Sequence, residues 1–294
     1  MMRFESSTLG SGLSDPEPAH LEFAFPAPSE GGAFREPPRA ILSLRAAGSM
    51  RYLAGTWNPR RAGFFDSLGI EAGRVVATEL HHTRRVRIID THSLGEFPRG
   101  EVELDARGLP GEEVGDGGPD AVEGCDGMVF LPPSAVPATP SPPAAPRPVA
   151  TVTVADCMPI WLWDSASGAW GLLHSGWKGT GILERAIQAI SARRGVSPAT
   201  MSVILGPAIG ACCYEVPETR AEFFAAEFGE HSVDRSGPRP RIDIRAANLA
   251  IARRLGVGAL LSIDACTSCD SSLGSFRREG ASDFTRMVAA CVPV

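Results

Sequence analysis

The sequence predicts an α+β protein, with mixed β-sheets and helices packed outside them. Three observations carry that assignment. Short apolar stretches of strand length recur along the chain. Amphipathic stretches of helix length, closed by glycine, lie between some of them. The two kinds do not alternate strictly, as repeated βαβ units would. With 294 residues, 44% of them hydrophobic, the chain is long enough to bury a sizeable core.

Taken in order, residues 1 to about 35 are rich in Gly, Ser, Pro and Glu and read as a loose lead-in. Residues 36–294 read as a single domain. "RVVATEL" and "RVRIID" alternate as strands do. "NPRRAGFFDSLG" predicts a helix with Asn58 as N-cap, Pro59 at the first helical position and Gly69 at its end. The proline-rich segment 131–148 cannot supply a regular ladder of backbone donors. It reads as a surface loop rather than a linker, because neither flanking half looks self-sufficient. Residues 154–163 then read as one buried strand, "DSASG" as a turn and residues 169–173 as a returning strand. A helix, "GILERAIQAISARRG", opens after the glycines of "HSGWKGTG". The strand "MSVILG", the loop "PAIGACCYEV", a helix over about 217–227, the helix "IRAANLAIARRLG" and a mixed tail complete the chain.

Composition narrows the function. A net charge of −6 and an isoelectric point near 5.6 argue against a nucleic-acid partner, which would favour a basic surface. The N-terminus has no apolar stretch of signal-peptide length, and no run is long enough to span a bilayer. Seven cysteines, an odd number, do not suggest a disulfide framework. Reduced thiols in a cytoplasmic protein with no membrane partner are the expectation.

Cys157 and His174 fall on two neighbouring strands, so a thiol and an imidazole should lie close together. Such a pair suits a metal site or a Cys–His nucleophile. A third ligand could come from "ELHHTRRV", where His81 and His82 face opposite sides if the backbone is extended. The plainer readings are that a cysteine in an apolar strand is a small hydrophobe, and that a histidine beside a glycine loop is merely hydrogen-bonded. The glycine-rich turn before a helix could receive an anion, with Lys178 adding charge; a tight turn is the alternative. Arg60 and Arg61, beside Asn58, form another candidate anion clamp, although surface solvation more often explains such pairs. "CTSC" and the "CC" at 212–213 could in principle hold a structural zinc, but the second pair lacks zinc-ribbon spacing.

"TVADCMPI", "HSGWKGTG", "ILGPAIGACCYEV", "CTSC" and "SFRREGASDFTR", with "EGCDGMVF" before them, resemble the YfiH-type laccase-domain family over residues 123–286. Its members are also called multicopper polyphenol oxidoreductases, purine nucleoside phosphorylases or peptidoglycan editing factors. The resemblance implies a layered α/β sandwich. It also implies a zinc or copper ion held by Cys157, His174 and His81, with His82 as the alternative third ligand. Glu79 stands where the family has glutamine, and the glycine-rich opening of the family is not clear here.

The implied activity is phosphorolysis of adenosine, inosine, guanosine or methylthioadenosine, together with adenosine deamination. The partners would be a small nucleoside and phosphate. Cys157, His174 and Asp156 would be catalytic, with Asp156 an orienter or proton carrier. Asn58, Arg60, Arg61 and Lys178 would contact substrate or phosphate. Three protein ligands would leave one position on the metal open. The rival readings are copper-dependent phenol oxidation, for which six histidines are few, and a Cys157 nucleophile acting on peptidoglycan precursors. A nucleotide-sensing binding protein is the non-enzyme reading.

Overall fold

A computed structural model describes residues 18–30, 36–56, 58–94, 103–114, 124–133 and 147–294. A six-stranded sheet runs, in spatial order, His20–Phe23, Arg39–Ser43, Met287–Val292, Val149–Val154, Val75–Ala77 and Leu104–Asp105. A seven-stranded sheet runs Ala259–Ser262, Met201–Leu205, Met158–Asp164, Trp170–Ser175, Gly127–Leu131, Val86–Asp90 and Glu112–Val114. Both mix parallel and antiparallel pairs. The sheets face each other, and helices cover their outer sides, as the α+β prediction requires.

Strand periodicity builds these layers. Ile160 and Leu162 point to the helical side of the seven-stranded sheet, while Trp161 and Trp163 point to the other sheet. Trp161 is fully buried there and donates its indole N–H to Ala290 O at 2.8 Å. Phe130 stacks on Trp170 at 4.4 Å between centroids, a geometry that contributes about 0.5–1.5 kcal/mol beyond area burial. Helix α1 (Pro59–Ser67) covers the six-stranded sheet with Phe64 and Phe65. Helices α2 (Ile182–Arg194), α3 (Glu218–Phe228) and α4 (Ile244–Leu255) cover the seven-stranded one. A short α5 (Phe276–Glu279) precedes the last strand. The caps follow the sequence: Asn58 accepts from the Arg60 and Arg61 amides, and Gly195 and Gly256 close α2 and α4 in the left-handed region. Among the described residues no helix is long and apolar enough to cross a membrane.

Two expectations need correction. The lead-in is not wholly loose: His20–Phe23 pairs with Arg39–Ser43, and Phe23 lies edge-on to Trp161 at 5.6 Å. Phe25 likewise meets Trp163 at 6.1 Å, so two aromatic anchors dock this stretch. Residues 154–163 are not one strand either. Val149–Val154 belongs to the six-stranded sheet and Met158–Asp164 to the seven-stranded one, and the chain turns between them at Asp156 with φ +89. Both strands are sheet-interior and apolar, so the hydrophobic pattern carries no mark of the break. The interior of the proline-rich segment, 134–146, lies outside the described residues.

Candidate metal centre

Cys157 ends the connector between the two sheets, beside the hairpin that carries His174. In that hairpin His174 lies opposite Pro159 and Ser175 opposite Met158, which sets the imidazole next to the thiol. The third member is His82. The ligand atoms of His82, Cys157 and His174 all lie within 4.8 Å of one another. The His82 and His174 rings meet edge to face at 5.0 Å.

Of the two adjacent histidines, it is His82 that the structure brings to this trio. His81 is outside this trio; its ring packs where a Cβ on Gly124 would stand, 2.6 Å away. The segment is not extended. His82 takes φ +60, and with Asp156 it is one of two non-glycine residues of positive φ among those described. Both belong to the site, where the surroundings hold a backbone that costs energy.

Asp126 holds the first of them. Its buried carboxylate accepts the amides of His81, His82 and Thr83 at 3.3, 2.9 and 2.7 Å, and the Thr83 hydroxyl at 2.7 Å. The same group meets His174 Nδ1 at 3.1 Å, and its backbone carbonyl accepts the His174 amide at 2.7 Å. With Nδ1 engaged, Nε2 is the nitrogen left for a ligand, which is how a carboxylate orients a metal-binding imidazole. Asp126 sits in "EGCDGMVF", and an acid directly before an apolar strand is the available signal for it.

Of the two roles expected for Asp156, its contacts fit the orienter. Its carboxylate accepts the Thr267 and Ser275 hydroxyls and the Arg277 amide, each at 2.7 Å. These bonds fix the turn that presents Cys157. The carboxylate binds structure, so the positioning of His174 belongs to Asp126.

Electrostatics concentrate on the thiol–imidazole pair. Burial alone would raise the Cys157 thiol, but the charge and hydrogen bonding of His174, aided by His82, bring it down to about 6. Burial alone would lower His174, but Cys157 and Asp126 raise it to about 10. Burial would also raise Asp126, yet His174 and Thr83 hold its carboxyl below the usual range. A cradle for a ligand is built in. A Cβ on Gly176 would stand 2.7 Å from the Cys157 sulfur and 3.3 Å from the His82 ring, so only glycine leaves this space open. Two imidazoles and a low-pKa thiol are a donor set that suits zinc or copper.

The trio opens into a cleft of about 730 Å³. Its walls carry Tyr52, Trp177, Tyr214 and Phe284, and the cations Arg220, Arg277 and Arg286. Arg220 lies 4.2 Å over the Trp177 ring and Arg286 lies 3.7 Å over Phe284. Burial and neighbouring Arg51 push Arg286 below its ordinary pKa.

The four residues expected to contact substrate or phosphate do not line this cleft. Asn58 is spent on the α1 cap, with its amide N–H groups on Ser49 O and Arg51 O. Arg61 is buried and bonds Glu103, Met50 O and the Thr151 hydroxyl, which makes it a core strut. Arg60 lines a separate groove with Arg45 and Asp283. Lys178 lines another beside Phe223, its ammonium 5.5 Å from the Trp177 ring centre. Sequence alone does not group the cleft arginines, because they come from three separated stretches.

The family model described as multi-copper polyphenol oxidoreductase laccase matches residues 58–293. The mouse protein named purine nucleoside phosphorylase LACC1 is 35% identical over 127 residues, 40% of this chain and 30% of its own length. Adenosine deaminase RL5, from an unknown prokaryotic organism, is 34% identical over 137 residues, 44% of this chain and 52% of its own. The matches thus span about half or less of these relatives. The crystal structure of Bacillus licheniformis YfiH superposes with a TM-score of 0.67 at 20% identity, covering 87% of this chain and 93% of that one. That likeness establishes the fold.

Proposed function

The chain belongs to the multi-copper polyphenol oxidoreductase laccase family, and from that premise we propose that it is a metal-dependent purine nucleoside phosphorylase that also deaminates adenosine. The observation that carries the reading is the convergence of His82, Cys157 and His174 at the floor of a cleft walled by aromatic rings and arginines. Relatives named purine nucleoside phosphorylase and adenosine deaminase support the substrate class.

His82, Cys157 and His174 would hold the ion, zinc or copper, which supplies Lewis acidity at the cleft floor. The remaining work falls to the chain. Tyr52, Tyr214 and Phe284 offer faces on which a purine stacks. Arg286 and Arg220 draw in phosphate and hold it against the ribose. In phosphorolysis a phosphate oxygen bonds to the anomeric carbon while the bond to the purine nitrogen breaks. The electron pair leaves with the base, which takes up a proton. In deamination water adds at C6 and ammonia departs. Asp126 keeps His174 in one tautomer and orientation throughout.

A specific observation favours a second reading. Asp126, His174 and Cys157 form an orienter–base–nucleophile series, and the thiol pKa of about 6 suits a Cys–His hydrolase. Phenol oxidation through several coppers gains less support, since the histidine cluster among the described residues offers three donors.

The deciding experiment is incubation of the metal-loaded chain with inosine and phosphate. Ribose 1-phosphate and hypoxanthine should form, and Cys157→Ala should abolish them. Equal product from both proteins would sink the phosphorylase reading. Activity that survives a chelator but not iodoacetamide would favour the hydrolase.

A further inference from the structure

A second cluster, made of four cysteines the proposed reaction does not use, lies outside the lining of the cleft. Cys212 and Cys213 follow the strand Met201–Leu205, and Cys266 and Cys269 follow Ala259–Ser262. These strands are parallel neighbours, so the loops leaving their C-terminal ends emerge side by side. Ala208 and Cys266 extend the pairing by an isolated parallel bridge. Residues 53 or more positions apart in sequence thereby meet.

All four sulfurs lie within 4.8 Å of one another. The Cys213 and Cys269 sulfurs are 3.4 Å apart, and those of Cys212 and Cys269 are 3.7 Å apart. A disulfide would bring two sulfurs to about 2.05 Å, whereas four sulfurs at about 2.3 Å from one zinc stand roughly 3.8 Å from each other. The Cys212–Cys269 separation matches the edge of such a tetrahedron, and the Cys213–Cys269 separation lies below it but far outside disulfide range. Adjacent cysteines are not a zinc-ribbon knuckle, but three-dimensional convergence, not sequence spacing, decides coordination.

The surroundings favour a thiolate at Cys266. The Gly210 amide donates to the Cys266 sulfur at 3.2 Å. A Cβ on Gly210 would lie 3.2 Å from the Cys212 sulfur and 3.3 Å from Cys266 Cβ, so the close approach of the two loops leaves little room there for a side chain. The Cys269 and Asp270 amides both turn back on Cys266 O, at 3.1 and 2.9 Å, which presents both sulfurs of the CxxC on one side. Arg278 donates to Thr267 O at 2.6 Å and Asp270 O at 2.7 Å and pairs with Glu279 at 2.8 Å, which ties the CxxC loop to α5.

We propose that Cys212, Cys213, Cys266 and Cys269 form a closed, structural zinc site, distinct from the His82–Cys157–His174 centre. Binding displaces the thiol protons to solvent, and the four sulfurs leave no position for water, so this ion does no chemistry. Its effect is to pin the two loops that shape one wall of the cleft. Thr267, within the CxxC, bonds Asp156, and Cys213 O receives the Arg277 guanidinium at 2.8 Å. The proposal does not rest on the nucleoside reading.

The test uses the full chain carrying Cys157→Ala, which disables the other centre, prepared with reductant and zinc but without chelator. Zinc analysis should give one equivalent per chain, and X-ray absorption should show a shell of sulfur alone. Adding Cys269→Ser should remove that equivalent. If that variant fails to fold, the absorption spectrum of Cys157→Ala decides. A zinc-free Cys157→Ala protein, a shell containing nitrogen, or a mass showing disulfides among these cysteines in the reduced preparation overturns the proposal.

Discussion

Asp126 and His174 are joined twice, by the carboxylate meeting Nδ1 at 3.1 Å and by the backbone carbonyl accepting the His174 amide at 2.7 Å. The same carboxylate collects the amides of the loop that carries His82. One buried acid thus orients two of the three proposed ligands. Asp126→Asn keeps the volume but removes the charge and places N–H groups opposite N–H donors. It should lower zinc affinity at this centre by about 10–100-fold, as loss of an orienting partner does. Competition titration against a chromophoric chelator measures it, and unchanged affinity would remove Asp126 from its assigned role.

The metal-free protein should carry a reactive thiol. Cys157 has a pKa brought down to about 6 from the ordinary 9.0, so its thiolate appears as pH rises through about 6. Iodoacetamide modification of Cys157 should follow that profile. In His174→Ala the opposing charge is gone while burial remains, and the profile should move upward. A half-maximal rate near 9 in the parent protein would contradict the ion pair.

Arg286 and Arg61 should separate cleanly. Arg286→Ala removes an arginine that faces the cleft, and the Michaelis constant for phosphate should rise. A lost charge-assisted hydrogen bond of about 1.5–3 kcal/mol corresponds to roughly 10–100-fold. Unaltered phosphate dependence would move the anion site elsewhere.

Arg61→Ala should instead weaken the fold. Arg61 is buried and paired with Glu103 at 2.6 Å, and breaking a buried pair from one side costs about 3–5 kcal/mol. Urea unfolding should show the loss, while the phosphate Michaelis constant of the folded enzyme stays as it was. A stable Arg61→Ala protein with impaired phosphate binding would restore the residue to the substrate.

Much of this was legible beforehand, and the misses have common causes. The helix start at Asn58-Pro59 and the Cys157–His174 proximity follow from local chemistry: a cap, a proline and a hairpin register. The identity of the third histidine was not local. His82 is turned by a carboxylate 44 positions away, and two adjacent histidines look alike until that contact exists. Arg60 and Arg61 suggested an anion clamp because they are adjacent, yet one is a core strut and the other faces a different groove. The arginines that do line the cleft are scattered through α3, α5 and the approach to the last strand, which no window of sequence brings together. The cysteine quartet is illegible in sequence for the same reason: parallel strands, not spacing, bring it together.

The central claim is that one ion is shared by His82, Cys157 and His174. Zinc content of the wild-type chain and of four alanine variants, purified alike, tests it most directly. His82→Ala, Cys157→Ala and His174→Ala should each lose the same single equivalent, and His81→Ala should retain it. Retention by His82→Ala with loss by His81→Ala, or no change in any variant, would contradict the geometry assigned to the site.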